Sequence, residues 1–239
     1  MVQLLEQVLE AHGGLSRWNA FTEVETTIVS GGGLWAIKGA AQDDSPRQMV
    51  AALQHEWSSV HPFGAQDQRT NFTPERIAIE KLDGHVVAER LDPRASFAGH
   101  EFATPWDPLH RAYFNGYALW TYLTSPFSFA LDGFSVSEID SVHDNGQTWR
   151  GLQVGFPPTF ASHSAVQEFY FGDDFLLQRH DYRVDVAGGF PAVQYVSDFV
   201  EVEGIKMPTK RRAYRATVTG QPILEALMVS IDLRDFAFT

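Results

Sequence analysis

The chain has 239 residues, with 18 Lys and Arg against 30 Asp and Glu, for a formal charge of −12. It contains no Cys, which excludes disulfide scaffolds, thiolate metal sites and a cysteine nucleophile. Its acidity argues against a nucleic-acid surface, which needs clustered Lys and Arg, and its 44% hydrophobic content fits one globular domain over residues 1–239.

Residues 2–12 carry Leu4, Leu5, Val8 and Leu9 at helical spacing and stop at Gly13-Gly14, which predicts a short amphipathic helix. Glu6 and Glu10 interrupt the apolar core a secretory leader would need. A cytoplasmic location is therefore expected, with the periplasm as the alternative for a chain trimmed of its leader. No apolar run reaches the length of a membrane span, so no integral membrane association is expected.

From Phe21 the texture becomes strand-like. Glu23 to Ser30, Leu34 to Gly39 and Gln48 to Glu56 come first, the opening pair joined across Gly31-Gly32-Gly33. Arg76 to Leu82 and His85 to Leu91 follow, with Asp83-Gly84 as a hairpin turn. In the second half Trp149 to Phe156, Ala165 to Phe171 and Phe175 to Val186 read as strands. Tyr195 to Val202, Pro208 to Val218 and Glu225 to Asp235 complete the set. The pattern predicts a mainly β fold, an antiparallel sheet of about ten or eleven strands.

One helix interrupts the strands. Asp107-Pro108 is a helix start, and the run through Leu109 to Leu123 ends before Pro126. At about 100° per residue, Trp106, His110, Tyr113, Tyr117 and Trp120 share one face. Leu109, Ala112, Gly116, Leu119 and Leu123 widen the apolar arc, leaving Arg111 and Asn115 as polar positions. Such a helix is expected to lie in the concave face of the sheet, buried on most sides.

These features resemble a known family. The helix ending Ala11-His12-Gly13-Gly14 with Trp18 behind it, the strand meander broken by one helix, and Val202-Glu203-Gly204-Ile205-Lys206-Met207-Pro208-Thr209-Lys210 resemble the bacterial lipoprotein carriers of the LolA/LolB-like superfamily. Tyr113 to Trp120 and Gly155-Phe156-Pro157-Pro158 are similar to uncharacterised bacterial proteins grouped with them. The resemblance implies an open half-barrel around an apolar cavity, capped by helices, that shields an acyl chain. Those carriers are exported, whereas this sequence shows neither a leader nor a lipobox cysteine.

Among polar candidates, His110 sits on the aromatic stripe, where burial would keep it neutral and suited to act as a base. In the strand after Phe175, His180 and Tyr182 share one face, while Arg179 and Asp181 fall on the outer, solvated one. His163 and Ser164 lie in a loop that leans over the mouth. A serine triad lacks its Gly-x-Ser-x-Gly elbow, and the scattered His show no metal-ligand spacing. Neither a metal nor another cofactor is expected. Arg69, if directed inward, would bind a ligand's carboxylate or phenolate. Lys210 and Arg212 share a face with Tyr214 and read as the solvated outside of a late strand.

The expected function is enclosure of a hydrophobic small molecule or acyl chain. Arg69, Trp106, Tyr113, Tyr117, Trp120 and His163 are the expected ligand contacts. The alternative is an enzyme in the same cavity, a cyclase, isomerase or hydrolase using His110, His180 and Tyr182 for acid–base chemistry. A helix packed without a void would instead leave a structural or interaction module.

Overall fold

The computed structural model of the chain describes residues 1–40 and 44–239. Among the described residues four α-helices are present: α1 (Gln3–Ala11), α2 (Leu15–Trp18), α3 (Leu34–Ile37) and α4 (Pro108–Thr124). The strands of the first half are β1 (Glu23–Gly31), β2 (Arg47–Ala52), β3 (Ser58–His61), β4 (Gln68–Thr73), β5 (Arg76–Lys81) and β6 (Val86–Leu91). Those of the second half are β7 (Ser135–Asp144), β8 (Gln147–Gly155), β9 (Val166–Phe171), β10 (Leu177–Val184), β11 (Phe190–Val202), β12 (Ile205–Ala216) and β13 (Pro222–Phe238).

All thirteen form one open antiparallel sheet in the order β6-β5-β4-β3-β2-β1-β13-β12-β11-β10-β9-β8-β7. Every neighbour follows in sequence except at the centre, where β1 pairs with β13 through Val24 opposite Phe238 and Ile28 opposite Leu233. The sheet therefore has two wings, β1–β6 and β7–β13, and two unpaired edges, β6 and β7. Residues 92–134 cross from one edge to the other and carry α4. The expected half-barrel with a helix in its concave face is what forms, with thirteen strands in place of about ten or eleven.

Two early expectations are corrected. Leu34 to Ile37 is a single helical turn, not a strand, so Gly31-Gly32-Gly33 joins no hairpin; β1 pairs instead with β2 and β13. Strand pairing of the Gln48 to Glu56 stretch ends at Ala52, and a turn leads to β3. The Asp83-Gly84 turn falls between the strands it was expected to join, and Gly172-Asp173-Asp174 and Glu203-Gly204 likewise lie between β9 and β10 and between β11 and β12.

α1 buries Leu4, Leu5, Val8 and Leu9 in the core, and Gly13 ends it at φ 125°. A side chain at Gly13 would collide with the Gly204 carbonyl oxygen, so the Gly13 contact ties α1 to the β11–β12 turn. His12, at the helix end, donates from Nδ1 to the Val8 carbonyl at 2.8 Å amid Phe127, Phe171 and Phe199.

α4 begins with a capping box. The Asp107 carboxylate accepts from the His110 backbone N–H at 2.8 Å, and His110 Nδ1 accepts from the Asp107 N–H at 3.2 Å. From Ala112 to Thr124 every residue is buried, Asn115 included. The helix backbone lies closest to β2–β6, where Gly116 lets Phe72 approach and Ser58 Oγ donates to the Gly116 carbonyl.

Candidate functional site

On its other side α4 meets β9–β12 through long polar side chains rather than through backbone proximity. Tyr122 of α4 bonds through its hydroxyl to His163 Nε2 at 2.8 Å and to the Tyr182 hydroxyl at 3.1 Å. Both bonds are satisfied when Tyr182 donates to Tyr122 and Tyr122 donates to neutral His163. The His163 ring stacks on Tyr182 at 4.1 Å, and His180 stacks on Phe169 at 4.0 Å. His180 Nε2 meets Gln167 Oε1 at 2.7 Å, and the Gln167 amide is oriented by donating to the Ser164 carbonyl. This geometry assigns the His180 proton to Nε2. Arg211 of β12 donates to Gln194 Oε1 at 2.9 Å and to the Tyr122 carbonyl at 2.6 Å, with its guanidinium 4.8 Å from the Tyr122 ring centre.

Every member of this seam is buried, and burial sets its electrostatics. It pulls His163 down to about 3 and His180 well below the usual imidazole value. The same desolvation pushes the Tyr117, Tyr122 and Tyr182 phenols up. Burial also lowers Arg211, to about 10, so at neutral pH its guanidinium is the seam's lone charge. Among the described residues, five buried atoms of the seam have no hydrogen-bond partner: Tyr117 Oη, His163 Nδ1, His180 Nδ1, Gln194 Nε2 and Arg211 Nε.

The expected candidates divide between this seam and other places. His163, His180 and Tyr182 converge, with the Tyr117 ring 5.1 Å from His163. Tyr122 and Arg211 join them without having been anticipated. His110 is elsewhere, at the start of α4, beside Phe97 and His100 at 4.6 and 4.9 Å. Trp106 packs on Phe97 and Phe114, Tyr113 packs on Phe72, and Trp120 Nε1 donates to the Ala52 and His55 carbonyls. Arg69 does not turn inward. In β4 the pleat sends Thr70 and Phe72 to the core, and Arg69 lies outside, 4.0 Å from Glu80.

Arg179 is on the outer face as expected but is not solvated. It is covered, 3% exposed, and held by Asp181 at 2.6 Å and Asp144 at 2.8 Å. The Ser162 and Ser164 hydroxyls donate to the Ser164 and Val166 carbonyls, so no serine–histidine pair forms here. Among the described residues no three His, Asp or Glu are grouped as metal ligands.

Open space is distributed unevenly. Inside, between α4 and the sheet, a cavity of about 20 Å³ touches Trp35, Arg47, Phe114 and Tyr122, enough for one water. The roomy cavity expected over the aromatic stripe is therefore closed. Outside, two adjoining grooves of about 330 and 400 Å³ run past the start of α4 and share Phe63, Gly64, Asp107 and Pro108. Their walls include Trp106, Ile79, Val87 and Leu109. Arg47 lines both a groove and the inner cavity, so the same side chain stands between them.

A further cleft of about 290 Å³ lies between Glu75, Arg94, Tyr113 and Ala161. Ala161 donates its N–H to Glu56 Oε2 at 2.7 Å, while Glu56 Oε1 is buried without a partner. Desolvation raises the Glu56 carboxyl well above its ordinary value. Its contribution to stability is full below the unfolded value and is lost as pH rises toward the folded one. Glu56→Gln keeps an acceptor for Ala161 and is expected to raise the melting temperature by roughly a few degrees at pH 8 and by less at pH 5. Equal shifts at the two pH values would count against this account.

No known family profile matches the chain, and no curated protein matches it in sequence. Solved structures do share its architecture. A LolA superfamily protein from Nitrosomonas europaea is 12% identical over 97% of this chain and 92% of that one, with a TM-score of 0.54. A domain from Vibrio parahaemolyticus, provisionally described as an outer membrane lipoprotein-sorting protein, is 10% identical over 98% and 92%, with a TM-score of 0.56. A DUF1329 family protein from Desulfovibrio piger is 10% identical over 99% and 94%, with a TM-score of 0.52. At these identities what is shared is the fold, as the LolA/LolB-like resemblance implied.

Proposed function

We propose that this chain is a carrier that takes up a hydrophobic small molecule or acyl chain beneath α4. The observation that carries the reading is a line of shared lining residues. The apolar groove past Phe63 and Leu109 meets Arg47, Arg47 borders the inner cavity, and that cavity ends at Tyr122 of the polar seam. The grooves have the volume of small-ligand sites, and the wall formed by Phe63, Ile79, Val87 and Leu109 suits an aliphatic guest, while Arg47 and Arg111 add charge to the adjoining groove.

The seam is also the weaker of the two faces of α4. On the β2–β6 side the helix docks through Gly116 and Phe72. On the β9–β12 side buried polar atoms without partners oppose close packing. Parting α4 from that wing would enlarge the cavity into a space lined by Tyr117, His163, His180 and Tyr182. In this reading Trp106, Tyr113 and Trp120 hold the helix on the other wing. The lipoprotein-sorting description of one structure with this fold supports an apolar cargo. Acid–base turnover at the same seam is disfavoured, because burial pulls His163 to about 3 and His180 well below the usual imidazole value, which leaves both weak bases.

Titration with N-phenylnaphthylamine, a dye that brightens in apolar surroundings, is the direct test. Saturable binding of one dye per chain is expected, with faster hydrogen exchange across Ala112–Thr124 in the complex. His163→Gln should leave binding within about twofold if the protein is a carrier. Absence of saturable binding, together with no lipid co-purifying in native mass spectrometry, would remove the proposal.

A further inference from the structure

We propose that Arg211 anchors the carboxylate of a long-chain ligand, whose tail lies toward the groove at the start of α4. The inference rests on the carrier reading and adds the ligand's chemical class.

Two buried guanidiniums on the second wing are treated differently. Arg179, 3% exposed, is neutralised by two carboxylates, Asp181 and Asp144. Arg211, 1% exposed, has only neutral partners: the Gln194 amide, the Tyr122 carbonyl and the Tyr122 ring. Its Nε–H has no acceptor. A guanidinium buried without a counter-charge is costly, and the cost is relieved by an anion brought in from outside. The two oxygens it meets, on Gln194 and Tyr122, are uncharged and already bound to its other nitrogens, so no negative charge among these partners opposes such an anion.

The class of anion follows from the count of charges. One guanidinium matches one carboxylate in charge and in planar shape. A phosphate monoester carries more negative charge and would call for a second cation. His163 and His180 do not supply it, because both are held neutral by burial. The remaining contacts suit an aliphatic tail: the cavity wall at Phe114 and Ala118, then the groove at Phe63 and Leu109.

Displacement of N-phenylnaphthylamine by palmitate, palmityl alcohol, methyl palmitate and hexadecyl phosphate tests the idea on the full chain. Palmitate is expected to bind at least about tenfold more tightly than the alcohol or the ester. Arg211→Met should reduce palmitate to the level of the alcohol and leave the alcohol within about twofold of its original affinity. Equal binding of palmitate and alcohol by the unaltered protein overturns the anchor while the carrier reading stands, and this comparison needs no variant to fold. Tighter binding of hexadecyl phosphate than of palmitate overturns the carboxylate assignment. Failure of dye and all four compounds to bind overturns both readings together.

Discussion

Acidification from pH 7.5 to pH 5 is expected to destabilise this fold, the loss from its buried histidines exceeding the gain from Glu56. His12, His163 and His180 are all buried, and desolvation sets His12 at about 4, His163 at about 3 and His180 well below its ordinary value. In the unfolded chain each titrates near 6.5. Below that value the unfolded state binds protons that the folded state refuses, so the unfolded state gains. The stability is thus fully present above pH 6.5 and declines as pH falls toward the folded values. Between pH 6.5 and pH 5 His12 alone accounts for about 2 kcal/mol. Three such groups approach the ~5–15 kcal/mol that holds a typical domain folded. Urea denaturation followed by ellipticity should show a midpoint that falls steeply between pH 7 and pH 5. His163→Gln should flatten the slope. A midpoint independent of pH over this interval would show that the imidazoles accept protons in place.

Gly116→Ala should be the most damaging single methyl group that can be added to α4. On helix propensity alone the change would gain about 1 kcal/mol. The added carbon, however, would sit 2.7 Å from Phe72 Cβ and 2.6 Å from its Cδ2. Phe72 is fully buried in β4, and Ser58 fixes the Gly116 carbonyl from β3, so neither side has room to retreat. Overpacking of this kind costs on the order of 3 kcal/mol, which outweighs the propensity gain. Chemical denaturation of the single variant and of Gly116→Ala combined with Phe72→Leu separates the causes. Partial recovery in the pair identifies the clash. A double variant no better than the sum of its parts would place the cost elsewhere.

The legibility of this molecule in its sequence followed the strength of its local signals. α4 was readable because Asp107-Pro108 marks its start and its rings recur at helical spacing. The strands that escaped notice lack alternation. β7 has both faces largely exposed, β3 is four residues long, and β4 turns only Thr70 and Phe72 inward. Leu34 to Ile37 is one turn of helix, too short to display a period, so its apolar run passed for a strand.

The site was half legible. Alternation placed His180 and Tyr182 together on the inner face, and they are there. The same pleat, applied to Lys210-Arg211-Arg212, sends the middle residue inward when its neighbours point out. Arg211 accordingly lies inside, 1% exposed, between two outward basic neighbours. His110 was misplaced for a different reason. Its spacing from Asp107 is that of a capping box, with His where Glu or Gln is usual, and this local bond takes its Nδ1. Tyr122 carried no signal of its own; only the approach of β10 and β12 gives it partners.

The central pairing of β1 with β13 also dictates a history. These strands are separated by nearly the whole chain, and β13 follows the other twelve. During synthesis the first wing can form its hairpins early, yet β1 keeps one bare edge until the last strand emerges. Contacts so distant in sequence are slow to close. The nascent chain therefore spends most of its translation with its future midline unpaired, open to capture by a chaperone or by a neighbouring copy. Folding of this chain is expected to be gated at the midline, where β1 meets β13.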